Sequence, residues 1–137
     1  MLDHKRIEAA ITRAELRTSG EIRVFVEEKT RGEVLDRAAE IFEKLEMHKT
    51  DLRNGVLFYL ATESHKFAIL GDAGINTKVN KGFWDEIKAE MLVLLKTDKQ
   101  TEALEKGIVM AGEALSTHFP YDGVSDKNEL SNEVVIG

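Results

Sequence analysis

The chain of 137 residues contains no cysteine and only one proline, Pro120. Without cysteine it can form neither a disulfide framework nor a thiolate metal site. No apolar run approaches the roughly 18 residues needed to cross a bilayer, and the N-terminus lacks the apolar core of a signal peptide. We therefore expect a soluble, cytoplasmic chain with no membrane segment.

Basic charge is also lacking, since the net charge is -6 at pH 7. Nucleic-acid binding requires a basic stripe that displaces counterions, so nucleic acid is not an expected partner. The four histidines do not show the i, i+4 spacing typical of zinc sites. There is no Gly-x-Ser-x-Gly elbow or phosphate-binding glycine loop. The acidic balance is compatible with divalent-cation binding or with solubility alone.

The residues that are present suffice for one domain, because 42% of them are hydrophobic. Apolar side chains recur at helical spacing after the capping residue Asp3 and over three later segments, 33–45, 83–95 and 101–119. Strands are predicted over 21–26, 55–61 and 66–70. Residues 55–61 are nearly all apolar, which is typical of a central strand that is buried on both faces.

The predicted order of elements is α-β-α-β-β-α-α. A helix between the first two strands favours a parallel pair, and the short turn at 62–65 favours an antiparallel hairpin. We predict an α/β fold, a three-layer α/β/α sandwich with a small mixed sheet flanked by helices. Residues 1–121 form the predicted domain. Residues 122–137 form a polar, loosely ordered tail in which the apolar segment 134–136 is a candidate for docking.

A candidate site follows from the hairpin, which places the start of its first strand beside the end of its second. Asp51 and Asn54 precede the first of these strands, and Asp72 follows the second in the predicted loop 71–76. Carboxylate and amide oxygens are ligands for hard cations such as calcium or magnesium. Gly71 and Gly74 would let the backbone turn sharply and offer its carbonyls. The alternative is that Asp72 forms only a local turn hydrogen bond.

Three further side chains near these junctions have alternative roles. Trp84 and Asp85 begin the helix that follows the loop, where they would face the site. Alternatively, Trp84 packs in the core and Asp85 stabilises the positive end of the helix dipole. Arg53 would either bind an anionic ligand or remain solvated.

Three segments in this order resemble the TPM domain, in its soluble bacterial branch. They are Ser-Gly-Glu-Ile-Arg-Val at 19–24, Arg-Asn-Gly-Val-Leu-Phe-Tyr-Leu at 53–60, and Ile-Leu-Gly-Asp-Ala-Gly-Ile-Asn at 69–76. The family is named for a thylakoid lumen protein, a photosystem II-associated protein and a nematode receptor modulator. The resemblance covers about residues 1–121. It implies an α/β/α sandwich, calcium binding in some members, and the acid phosphatase activity reported for plant members.

Carried over by position, the resemblance implies five candidate metal ligands. They are Asp51, Asn54, Asp72, Glu21 and Asp85. Many relatives have an acidic residue where this chain has Asn76, and this difference favours a cation site over a shared catalytic site. We therefore expect a domain that binds a divalent cation, calcium or alternatively magnesium.

Two other functions remain open from the sequence. One is a metal-assisted acid phosphatase, in which the cation polarises phosphate and activates water. The other is a non-catalytic module that binds an unidentified protein through its charged helix faces or its tail.

Overall fold

A computed structural model describes residues 2–121 and 131–137 of the chain. The helices and strands, in chain order, are α1 His4–Glu15, β1 Glu21–Glu27, α2 Val34–Lys44, β2 Gly55–Ala61, β3 Lys66–Gly71, α3 Ala73–Asn76, α4 Phe83–Leu95, α5 Gln100–His118 and β4 Val135–Ile136. The predicted α/β fold is confirmed. Among the described residues, no helix combines the length and apolar character that a membrane span requires.

The strands form one mixed sheet in the order β3-β2-β1-β4. β1 and β2 are parallel and are connected through α2, while β2 and β3 form the predicted antiparallel hairpin. All seven residues of β2 are buried. Its side chains alternate between two apolar clusters, with Phe58 on one face of the sheet and Tyr59 on the other. Burial on both faces was the basis for predicting a central strand at 55–61, and that prediction is confirmed.

The two faces of the sheet are covered unequally. On one face, residues of α1, α4 and α5 pack against the sheet, including Ile11, Met91 and Ile108. On the other face, α2 packs through Ala38 and Ile41. The result is a three-layer arrangement with most of the helical mass on one side.

Helix boundaries follow from local capping. Asp3 caps α1, since its carboxylate accepts from the backbone N–H of Arg6 at 3.2 Å. Glu33 caps α2 in the same way, accepting from the N–H of Asp36 at 3.0 Å. α1 ends at Glu15.

Two segments predicted to be loops contain helical turns. The connection before β2 includes a short 3-10 helix, Met47–Lys49, in which Met47 is fully buried. The loop prediction for 71–76 is wrong over its last four residues, because Ala73–Asn76 is helix α3. Asp72 caps this turn by accepting from the N–H of Ala73, which gives an acidic residue at this place a structural role.

The C-terminal residues add the fourth strand. Val135 and Ile136 pair in parallel with Phe25 and Val26 of β1, and the N–H of Gly137 donates to the Val26 carbonyl at 2.8 Å. The segment 134–136 therefore docks as predicted. Residues 122–130, which belong to the predicted polar tail, lie outside the described residues.

A buried ion pair fastens α2 to the C-terminal end of β1. Arg37 donates from Nε and Nη2 to the two carboxylate oxygens of Glu27, at 2.9 and 3.0 Å. The Tyr59 hydroxyl also donates to Glu27. The Arg37 guanidinium, followed by the Tyr59 hydrogen bond, holds the pKa of Glu27 below its usual value. Burial raises the pKa of Tyr59, and the bond to Glu27 raises it further.

Because the pKa of Glu27 is lower in the folded state, the pair stabilises the fold above the unfolded-state pKa of about 4.3, and this contribution disappears as pH falls through the folded-state pKa. Glu27→Gln should lower the free energy of unfolding by ~3 kcal/mol at pH ~7 and by much less at pH ~3. Urea unfolding at the two pH values measures this. Glu40→Gln removes only the exposed partner of Arg37 and serves as the control. Equal losses for Glu27→Gln at both pH values would contradict the ionic role.

Candidate functional site

The end of the sheet where β1 and β2 begin and β3 ends brings together the polar junctions. In the register, Glu21 lies opposite Gly55, and Val56 lies opposite Gly71. The N–H of Asp72 donates to the Gly55 carbonyl at 2.9 Å, and the N–H of Gly74 donates to the Arg53 carbonyl at 2.8 Å. Segments 51–54 and 71–76 are therefore held side by side by backbone hydrogen bonds.

The glycines of this region permit close approach of neighbouring groups. A Cβ on Gly74 would lie 2.1 Å from the Leu52 carbonyl oxygen, and a Cβ on Gly71 would lie 2.4 Å from Trp84 Cζ2. Neither glycine has a positive φ. Glycine is therefore required at these two positions because other groups occupy the space of a side chain.

The glycine carbonyls already accept hydrogen bonds from side chains of α3 and of the residue that follows it. The Gly71 carbonyl accepts from Asn76 Nδ2 at 2.8 Å, and the Gly74 carbonyl accepts from Thr77 Oγ1 at 3.0 Å. Asn76 Oδ1 in turn accepts from the Trp84 indole N–H at 2.9 Å. Asn76 thus connects β3 to α4.

Asp72 is buried and holds an arginine. Its Oδ2 accepts from Arg53 Nε at 2.7 Å, and its Oδ1 accepts from Arg53 Nη2 at 2.8 Å and from the N–H of Ala73 at 2.7 Å. The hydrogen bonds and charge of Asp72 raise the pKa of Arg53. Asp72 therefore forms the local hydrogen bond that the sequence suggested, with the N–H of Ala73. The anionic group that Arg53 binds is the carboxylate of Asp72.

Asn54 has a buried side chain without a partner among the described residues. The residue is 1% exposed, and neither Oδ1 nor Nδ2 forms a hydrogen bond within residues 2–121 and 131–137. Leaving a buried polar group unsatisfied costs about 1–3 kcal/mol. Such groups in native proteins are normally satisfied by ordered water or by an ion.

Glu21 lies on the other side of β2 from Asp72. It is 2% exposed, and its N–H donates to the Asn54 carbonyl at 3.4 Å. Strand alternation places Glu21 and Asp72 on the same face, two strands and about 10 Å apart. Met47 lies over Gly55 between them, with its Cε 3.5 Å from the place of a Cβ. The backbone of Asn54 and Gly55 therefore lies between the segments that carry Glu21 and Asp72, and Met47 separates these two residues.

Asp51 and Asp85 are both exposed. Asp51 belongs to the segment that contacts Gly74. Asp85 lies in the first turn of α4, where its negative charge interacts favourably with the positive end of the helix dipole. Trp84 packs against the core and contacts Phe83 edge-on with ring centroids 4.8 Å apart. The alternative of core packing for Trp84 is therefore confirmed, and its indole N–H adds the link to Asn76.

The donor set is mixed rather than carboxylate-rich. Within the described part of the chain, no three His, Cys, Asp or Glu side chains group closely enough to hold a metal ion. Glu21, Asp51, Asp72 and Arg53 together have a formal charge of -2. Any cation at this end of the sheet must therefore use the Asn54 amide or backbone carbonyls together with few carboxylates.

Gly74→Ala should break the contact between the two segments, because its Cβ would collide with backbone that cannot move without disrupting β2. We expect urea unfolding to show a loss of about 3 kcal/mol or more. Gly82→Ala is the matched control, since a Cβ there meets only Asn80 Oδ1 at 3.6 Å. Its effect should stay within about 1 kcal/mol. Equal effects of the two substitutions would contradict the close approach.

Comparison with known proteins agrees with this geometry. The TPM domain family matches residues 2–114. The NMR structure of the BA42 protein from the psychrophilic bacterium Bizionia argentinensis is 41% identical, with a TM-score of 0.92 over 100% of this chain and 96% of that one.

A second structure shows the same fold at low identity. The N-terminal domain of the cg2496 protein from Corynebacterium glutamicum is 15% identical, with a TM-score of 0.66 over 91% of this chain and 77% of that one. No match was found among curated proteins. The family match and the 41% identity to BA42 lead to one conclusion. The chain belongs to the TPM domain family.

Proposed function

We propose that this chain binds a divalent cation, calcium in the first place and magnesium as the alternative, at the junction of segments 51–54 and 71–76. The observation that supports this most strongly is the buried side chain of Asn54, which has no hydrogen-bond partner in the part of the chain that the structure describes. Asn54 directly precedes Gly55, whose carbonyl accepts from the N–H of Asp72 at 2.9 Å. Amide and carboxylate oxygens are both ligands that hard cations accept.

The side-chain ligands in this proposal are Asn54 and Asp72, with Asp51 as the exposed third. Calcium takes six to eight oxygens, so backbone carbonyls and water would complete its shell. Glu21 does not bind the same ion as Asp72 in this proposal, because Met47 lies between the two residues. Glu21 contributes only negative charge near the site. Asp85 is not a ligand in this proposal, since it lies in the first turn of α4, outside segments 51–54 and 71–76.

Arg53 is the counter-charge of Asp72 when no cation is bound. Its side chain is half-exposed, and its backbone adopts the left-handed conformation with φ 52°. A half-exposed arginine can leave Asp72 for water with little desolvation cost. The guanidinium therefore competes with a cation for the same two carboxylate oxygens, and this competition weakens cation binding.

Calcium titration followed by amide chemical shifts tests the proposal. We expect saturable shifts concentrated in residues 51–55 and 71–77. Asp72→Asn should weaken binding at least about tenfold, because it removes the buried carboxylate. Arg53→Gln should strengthen binding, because it removes the competing cation. Magnesium titrated in the same way identifies the preferred ion.

The control is Asp98→Asn, an exposed residue with φ 62°, a conformation that asparagine also tolerates. It should leave the calcium affinity unchanged. Unaltered binding by folded Asp72→Asn, or weaker binding by Arg53→Gln, would reject this site. The metal-assisted phosphatase and the protein-interaction module stay predictions, since no contact among the described residues favours either.

A further inference from the structure

The α2 face of the sheet is only partly covered. A helix is about 10 Å wide and strands are about 4.8 Å apart, so one helix covers about two strands. α2 lies against β2 and β3. Over the other half of this face, α2 reaches only the C-terminal end of β1, where Arg37 pairs with Glu27.

A cavity of about 490 Å³ lies over this uncovered half. Its apolar walls come from the sheet and from α2, and include Phe25, Ile41 and Val135. Its volume falls in the range of small-molecule sites, roughly 300–1,000 Å³. It lies where the parallel strands β1 and β4 end, and the carboxyl ends of parallel strands are where α/β domains place ligands.

The charged residues that line the cavity are mostly basic. They are Glu27, Arg31, Arg37 and Lys44. The charge of Glu27 is neutralised by its bidentate ion pair with Arg37. Among residues 2–121 and 131–137, Arg31 and Lys44 enter no ion pair. The cavity therefore offers two cationic side chains although the chain as a whole carries a charge of -6.

Arg37 is held rigidly at the cavity wall. Glu27 and Glu40 use three of its five N–H donors, and its guanidinium lies 6.0 Å from the centroid of the Phe25 ring. The two remaining N–H groups are therefore fixed in orientation while Arg31 and Lys44 stay adjustable. Such a combination suits a carboxylate or phosphate group whose body packs on apolar walls.

We propose that this cavity binds a small amphipathic anion, with its apolar part against the accessible side chains of Leu45, Val135 and Ile136 and its anionic group at Arg31 and Lys44. This site lies at the opposite end of β1 from the proposed cation site and needs no cation. Its success or failure is therefore independent of the proposed function.

The experiment uses four probes that separate charge from apolar character, titrated without calcium and followed by amide chemical shifts. Phenylacetate and phenyl phosphate present the two anionic groups on one ring, phenethylamine presents the opposite charge, and inorganic phosphate lacks the ring. We expect saturable shifts with phenylacetate, phenyl phosphate or both, in residues 25–31, 37–45 and 134–137. The stronger of the two identifies the anionic group.

Equal shifts with phenethylamine, or no saturable shift with either ring-bearing anion, would overturn the proposal. The double variant Arg31→Gln with Lys44→Gln should weaken anion binding at least about tenfold. Both residues are exposed, so the fold should survive. Lys106→Gln, on α5 at the other face of the sheet, is the matched control and should bind as the unaltered chain does. Unchanged affinity in the double variant would also overturn the proposal.

Discussion

The pairing of β2 on both of its edges is the constraint on which the rest of this fold depends. Every residue of β2 is buried, so its backbone groups must pair with β1 and β3. A slip of one residue would exchange Phe58 and Tyr59 between the two apolar clusters, which fixes the register. The register in turn determines that Asn54 and Gly55 lie between Glu21 and Asp72.

Periodicity and turn chemistry were enough to predict much of this arrangement. The apolar run at 55–61, the hairpin turn and the helix between the first two strands led to the mixed sheet, because each reports a local preference. The sequence could not show that Met47 lies over Gly55 or that Gly74 touches the Leu52 carbonyl. Such contacts depend on how two loops pack, and no local pattern records them.

The candidate site shows the same division. The hairpin predicted that Asp51, Asn54 and Asp72 are neighbours, but the bidentate contact between Arg53 and Asp72 was not predicted. The sequence did contain a signal for this contact, because Arg53 and Asp72 have opposite charges and lie at the two ends of the hairpin that the fold brings together. The sequence also gave no reason to expect that Asn54 is buried without a partner, which is now the strongest support for a cation at this place.

Terbium luminescence tests the cation site most directly, because terbium resembles calcium in size and ligand preference and is sensitised by a nearby indole. Trp84 is the only tryptophan, and it donates to Asn76 within the segment 71–76. With excitation that only tryptophan absorbs, we expect terbium emission that calcium suppresses by competition and that Trp84→Phe loses while calcium binding persists. Calcium binding without indole-sensitised terbium emission would place the ion elsewhere and contradict the account.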